Sequence, residues 1–264
     1  MRYFFRYFFY LLILVALLLQ SGCGQKQGLQ QTAERKIQQG GQMVYGSLQE
    51  PNTLNPVISD FLATAEVGSL IFSSLVFTNE KGEWSPDLAV EVPTLQNGGV
   101  SPDGLRVLYK LRDGVVWHDG TPFSSEDVKF TWQYIMNRKV NAVSRDGYDR
   151  IVAIDTPDKN TVIIRFKQYY APYLTLFPYI LPKHILEKAD DFNKAPFNRF
   201  PVGTGPFKLK EWKIADSILL EANPAYFRGK PTLDGVVYKI VPDINLLLTQ
   251  LRSGQVHIVT NIDP

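Results

Sequence analysis

Alternation of apolar and polar positions is sharpest just after Gly104. Leu105, Val107, Tyr109 and Leu111 alternate with Arg106 and Lys110, which predicts a half-buried strand. Asp113-Gly114 and Asp119-Gly120 follow as turn dipeptides, because Gly accepts positive φ and Asp bonds nearby backbone. Beyond the second turn the period changes from strand-like to helical. Val128, Trp132 and Ile135 recur on one helix face. Ser124 is the expected N-cap, with Asp127 as its capping-box partner, and Glu126 and Asp127 suit the positive end of the helix dipole.

The same reading extends along the chain. Met43 to Leu48 predicts a strand, and Pro51 and Pro56 hold the following loop extended. Thr64 to Phe72 predicts a helix with Ala65, Leu70 and Ile71 available to a core, and Val90 to Val92 a short strand. Ile151 to Ile154 and Thr161 to Phe166 flank the turn 157–160 as a hairpin; Phe207 to Trp212 and Ser217 to Glu221 form another. Ala171 to Leu174 and Pro182 to Lys188 start helices, with Pro tolerated in the first turn. Val236 to Val241 is a strand, Asp243 caps a helix carrying Leu247, Leu248 and Leu251, and Gly254 stops it. Gln255 to Thr260 is the last predicted strand.

The amino terminus has a different pattern. Arg2 and Arg6 precede an apolar run from Tyr7 to Leu19, too short for a comfortable membrane span, and Gln20-Ser21-Gly22-Cys23 follows. Residues 1–23 read as an export signal, with an uncleaved anchor as the alternative. Residues 24–42 are rich in Gln, Gly and Lys and read as a flexible tether.

Composition narrows the function classes. The chain has 28 Lys and Arg against 26 Asp and Glu. Arg2 and Arg6 fall in the signal, which holds no acid, so the remainder is neutral and carries no footprint for nucleic acid. Cys23 is the single cysteine, so the body after it has no disulfide, thiol nucleophile or Cys metal site. No Gly-x-Ser-x-Gly or His-Glu-x-x-His occurs, and His118, His184 and His257 lie far apart. His118 beside Asp119 forms a nominal dyad inside a turn. Gly203-Thr204-Gly205 is followed by Pro206 and not by Gly-Lys-Ser/Thr, which argues against a phosphate loop. No cofactor or metal is expected.

The run from Tyr109 to Val128, Y-K-L-R-D-G-V-x-W-H-D-G-T-P-F-S-S-E-D-V, closely resembles the signature of the family-5 extracellular solute-binding proteins, the oligopeptide and dipeptide receptors of ABC importers. Ser125 stands where that family more often has Ala. Further matches are the G-S-x-x-E-P-x-T-L-N-P loop from Gly46, the G-x-x-x-P-x-L-A segment from Gly82, the G-T-G-P-F loop from Gly203, the N-x-x-Y-x-x-G-x-P segment from Asn223 and the segment from Leu251 to Ile258, where His257 replaces a usual Asp. Residues 20–23 resemble a lipobox, with Gln20 in place of the usual Leu and Cys23 as the lipidated residue.

The resemblance implies a mixed α/β fold of the type II periplasmic-binding-protein kind. It implies lobe one with an inserted smaller subdomain, and a second lobe that this sequence does not contain. The large subdomain would take residues 43–84 and 201–264, and the smaller one residues 85–200. It further implies a monomeric, lipid-anchored, non-enzymatic receptor in the cell envelope, on the periplasmic side or outer face of the cytoplasmic membrane. Such a receptor would capture a peptide or similar small solute and deliver it to an ABC permease. Ser47, Glu50, Thr53 and Thr204 are the expected cleft-facing contacts. The family's solutes include peptides, nickel, haem and sugars. A truncated lipoprotein with a scaffold or chaperone-like surface, and a hydrolase, are the alternatives.

Overall fold

The computed structural model describes residues 39–260. The expected export signal, the expected lipidation at Cys23 and the expected tether as far as residue 38 lie outside the described residues. Residues 40–42, assigned above to a flexible tether, are bonded to the body: Gly40 N–H donates to the Thr232 carbonyl, Gly41 N–H donates to Asp234 Oδ2, and Gln42 begins the first strand.

Among the described residues, three sheets and four α-helices carry the mixed α/β fold. A five-stranded sheet has the order β10-β1-β9-β8-β7, from strands β1 (Gln42–Ser47), β7 (Phe207–Lys213), β8 (Ser217–Ala222), β9 (Gly235–Ile240) and β10 (Ile258–Val259). β1 runs parallel to both β9 and β10, whereas β7, β8 and β9 are antiparallel. β2 (Val76–Thr78) and β3 (Trp84–Pro86) form a two-stranded ribbon. β4 (Arg106–Lys110), β6 (Thr161–Phe166) and β5 (Ile151–Asp158) form an antiparallel sheet in that order.

The helices are α1 (Leu62–Ile71), α2 (Ser125–Met136), α3 (Lys183–Leu186) and α4 (Ile244–Arg252). Ser124 N–H donates to Asp127 Oδ2 at 2.9 Å, so the reciprocal limb of the capping box is in place at α2. Asp127 Oδ1 accepts the Lys183 N–H at 3.1 Å, which ties the start of α3 to the start of α2. At α4, Asp243 accepts from Leu246 N–H at 2.9 Å, as an N-cap should.

Two large apolar clusters hold the described chain together. One gathers Tyr109, Trp117, Val128, Ile164 and Phe177 around the three-stranded sheet. The other gathers Val67, Ile71, Phe130, Tyr134, Phe197 and Tyr238 against the five-stranded sheet. Helix α2 contributes to both, because its buried positions wrap beyond a single stripe. Leu181, Leu186 and Phe197 pack in the second cluster, although their positions fall within the span assigned above to the smaller subdomain.

Close backbone approach explains two glycines. A Cβ at Gly46 would lie 2.5 Å from Leu247 Cδ1 and 2.8 Å from Val256 Cγ1, so a bare backbone lets α4 and its following loop seat on β1. A Cβ at Gly205 would lie 2.6 Å from the Ile71 carbonyl carbon, while Gly205 N–H donates to that carbonyl at 2.8 Å. That bond satisfies a helix-end carbonyl that α1 itself leaves open.

Some expected elements differ. Val90 to Val92 is not a strand; only Ala89 makes an isolated bridge, to Leu111. Ala171–Thr175 is a 3-10 turn rather than an α-helix, with Pro172 off helical geometry. The final strand shrinks to Ile258–Val259 because Gln255 and Val256 turn back to bond Gln250. The α1 face that is buried is Ala63, Thr64, Val67, Gly68 and Ile71, so Ala65 and Leu70 are only half-buried.

Candidate functional site

Parallel strands leave their carboxyl ends together, and loops leaving those ends commonly surround a ligand. Here β1 ends at Ser47 and β10 at Val259, and the start of α1 comes beside them. Between them lies a recess of about 150 Å³ lined by residues 45–49, Leu62, Ala63, Glu66 and Thr260.

The inner wall of the recess is a polar knot centred on Glu66. Its Oε1 accepts the Tyr45 hydroxyl at 2.6 Å and the Thr260 hydroxyl at 2.9 Å; its Oε2 accepts the Tyr238 hydroxyl at 2.7 Å. The Tyr45 and Thr260 hydroxyls also contact each other. Tyr45 and Tyr238 are cross-strand neighbours on β1 and β9, and their rings stack with centroids 5.2 Å apart. Burial, reinforced by the Glu66 carboxylate, pushes the Tyr45 phenol up to about 12. Burial likewise pushes Tyr238 up. Both phenols therefore remain donors, and the carboxylate has its charge met by hydrogen bonds.

The outer rim is apolar. Leu48 and Leu62 line the recess and are both exposed, and Phe61 beside them is exposed too. Solvated leucines around a polar floor make a surface suited to a solute with both apolar and polar parts.

The four residues expected to face a cleft divide unequally. Ser47 lines the recess, and its Oγ accepts the Gln49 N–H at 3.2 Å in a local turn. Glu50 reaches the β7–β8 hairpin instead, accepting Trp212 Nε1–H at 2.8 Å and the Ala215 N–H at 3.1 Å. Thr53 is 9 % exposed and donates to the Asn198 carbonyl at 2.8 Å. Thr204 is 1 % exposed, and its hydroxyl has no hydrogen-bond partner among the described residues. The Gly-rich loop around it is pressed on the end of α1, which turns the threonine inward. Tyr45, Glu66 and Thr260 were not singled out from sequence. The alternation of Tyr45 with Ser47 on one strand face was the available signal; their meeting with Glu66 is a long-range contact.

The histidines do not assemble a hydrolytic centre. His118 turns away from Asp119: its Nδ1 accepts the Gly203 N–H at 3.2 Å and its Nε2 lies 3.0 Å from the Gly205 carbonyl. Asp119 pairs with His184 Nε2 at 2.8 Å. Burial raises the Asp119 carboxyl, but the Thr121 N–H and His184 outweigh it and hold the group below its usual range. His257 Nδ1 accepts the Val44 N–H at 3.0 Å, as a strand-edge residue. Among the described residues no cluster of three His, Cys, Asp or Glu side chains is placed to hold a metal. None of the described helices is long and apolar enough to cross a membrane.

Comparison with known proteins agrees with this architecture. The family described as bacterial extracellular solute-binding proteins, family 5 Middle, matches residues 83–264. The oligopeptide-binding protein AppA of Bacillus subtilis is 33 % identical over 255 residues, which cover 93 % of this chain and 46 % of AppA. The structure of that AppA in complex with a nonapeptide superposes with a TM-score of 0.75 at 34 % identity, over 83 % of this chain and 44 % of the other. NikZ from Campylobacter jejuni in complex with Ni(L-His) superposes with a TM-score of 0.74 at 29 % identity, over 81 % of this chain and 42 % of the other. The chain thus spans just under half the length of the relatives it matches. On the strength of the family match, the AppA identity and the shared fold, this chain belongs to the family-5 bacterial extracellular solute-binding proteins.

Proposed function

We propose that this chain supplies one wall of the solute-capturing cleft of an ABC importer's receptor, and that the solute is a peptide. The observation that carries the reading is the recess at the carboxyl ends of β1 and β10, with its Glu66 knot and its apolar rim. The likeness to an oligopeptide-binding relative supports peptide as the solute class. In this reading Ser47 and its neighbours Leu48 and Gln49 touch the ligand. Glu50 and Thr53 support the loop from behind through the bonds described above, while Thr204 is buried in the neighbouring Gly-rich loop. The receptor works outside the cytoplasmic membrane as a monomer held by a lipid on Cys23, presents its load to the permease, and performs no chemistry on it.

One wall alone hides little of a ligand, whereas good sites bury most of it. The full chain is therefore expected to bind a nonapeptide weakly, with a Kd on the order of 1 mM. Backbone-amide NMR shifts should gather at Ser47, Leu48, Gln49 and Leu62. Micromolar affinity would refute the single-wall reading, and shifts located elsewhere, or none at saturating peptide, would refute the recess.

A further inference from the structure

A second cavity, of about 510 Å³, lies apart from the strand-end recess, between the β2–β3 ribbon, the end of α1 and the segment 174–179. That volume is in the range of small-molecule sites. Phe72, Phe77, Trp84, Tyr179 and Tyr226 line it, and so do Ser73, Asp87 and Arg228.

Asp87 is buried, at 7 % exposure, and only half satisfied. Its Oδ2 accepts the Ser74 N–H at 2.9 Å. Its Oδ1 has no short hydrogen bond and is met only by a long ion-pair contact from Arg228 Nη1 at 3.5 Å. Arg112 is engaged elsewhere, donating from Nε to the Asp87 carbonyl at 2.6 Å. The Ser73 hydroxyl is also buried and has no partner among the described residues. The Arg228 guanidinium lies 5.0 Å from the Phe77 ring centroid, and its side chain is 44 % exposed.

We propose that this cavity is a binding site for a small organic cation, an ammonium group on an aromatic or aliphatic body, whose charge replaces Arg228 beside Asp87 and the Phe77 ring. A carboxylate with an open oxygen and the negative face of an aromatic ring are the two features that recognise an organic cation. Arg228 occupies that position from within the chain, which shows that a cation fits there. It does so across 3.5 Å, with its own side chain 44 % exposed although Asp87 is buried, so the pairing is long and open to solvent on one side. An ammonium donates in three directions, so it has one proton for Asp87 Oδ1 and others for the hydroxyl oxygens that line the cavity, Ser73 among them. The remaining rings then cover its apolar body. An anionic ligand would instead meet a buried carboxylate that already lacks a full partner.

The test is a titration of the full chain with phenethylamine, followed by the Trp84 indole and Ser74 amide signals in NMR spectra, with phenylacetate as the charge-reversed control. The amine should give saturable shifts at both signals and phenylacetate none. Arg228→Ala removes the internal competitor and should tighten amine binding about fivefold or more. Asp87→Asn keeps an acceptor for Ser74 and should abolish binding. The proposal is overturned if the amine gives no saturable shift in either the parent or Arg228→Ala, if phenylacetate binds equally, or if Arg228→Ala weakens binding. Should Asp87→Asn fail to fold, the Arg228→Ala comparison decides.

Discussion

His118 and Gly203 bond each other twice, across 85 positions of chain. The His118 N–H donates to the Gly203 carbonyl at 2.9 Å, and the Gly203 N–H donates back to His118 Nδ1 at 3.2 Å. The second bond needs a lone pair on Nδ1, so the ring is neutral with its proton on Nε2, facing the Gly205 carbonyl. Burial pushes this imidazole down to about 4, despite the Gly205 carbonyl, which favours the charged form.

A pH dependence follows with a definite sign. The folded pKa lies below the unfolded one, so His118 contributes stability that is present above about pH 6.5 and lost as pH falls towards about 4. The full effect is on the order of 3 kcal/mol. Asp87 and Asp127, whose carboxyls burial pushes up, act in the opposite sense. Urea unfolding at pH 7.5, 5.5 and 4.5 should therefore be compared with His118→Asn, which removes only the histidine contribution. An unchanged slope in the variant would show that the ring is not held neutral.

Gly203→Ala should destabilise the protein by about 3 kcal/mol, at the upper end of overpacking effects. The added methyl would collide with the Ile71 carbonyl at the end of α1, which is backbone and cannot step aside cheaply. Thermal unfolding should show a Tm lower by several degrees. A Tm within a degree of the parent would mean that this loop sits farther from α1.

Thr204→Val is expected to be neutral or slightly stabilising, within about 1 kcal/mol. The Thr204 hydroxyl is buried without a partner among the described residues, so the substitution removes a desolvation cost and keeps the shape. A larger loss in denaturant unfolding would reveal a bonding partner for the hydroxyl.

Glu50→Ala leaves the Trp212 indole N–H and the Ala215 N–H without their acceptor, at a cost of about 2 kcal/mol. Ala215 has φ of 57°, in the left-handed region, so Ala215→Gly should recover up to about 1 kcal/mol. Tryptophan fluorescence reports the first change and Tm the second. A loss from Ala215→Gly would mean that the turn is not strained.

At the recess, Glu66→Gln should bring the Tyr45 phenol back towards 10, because part of its upward shift comes from the carboxylate. Burial, the larger cause, remains and keeps the value above that of a free tyrosine. Ultraviolet titration of the phenolate band measures it. An unaltered high-pH titration would separate Tyr45 from Glu66.

Local pattern was enough to identify the elements whose signals are short-range. The strand over Arg106–Lys110, the capped helix from Ser125 and the two hairpins follow from alternation, turn dipeptides and an N-cap serine. Those preferences act within a few residues, so any chain segment carries them. The Ala171–Thr175 turn and the shortened β10 were less legible, because an isolated proline or β-rich run leaves several backbone outcomes close in energy. Tertiary structure alone decided where polar side chains spend their hydrogen bonds. It sent Glu50 to Trp212, Thr53 to Asn198 and His118 to Gly203, and it brought Tyr45, Tyr238 and Thr260 onto Glu66. The reason is physical: a hydrogen bond needs partners within about 3 Å, and only packing of distant segments sets that distance.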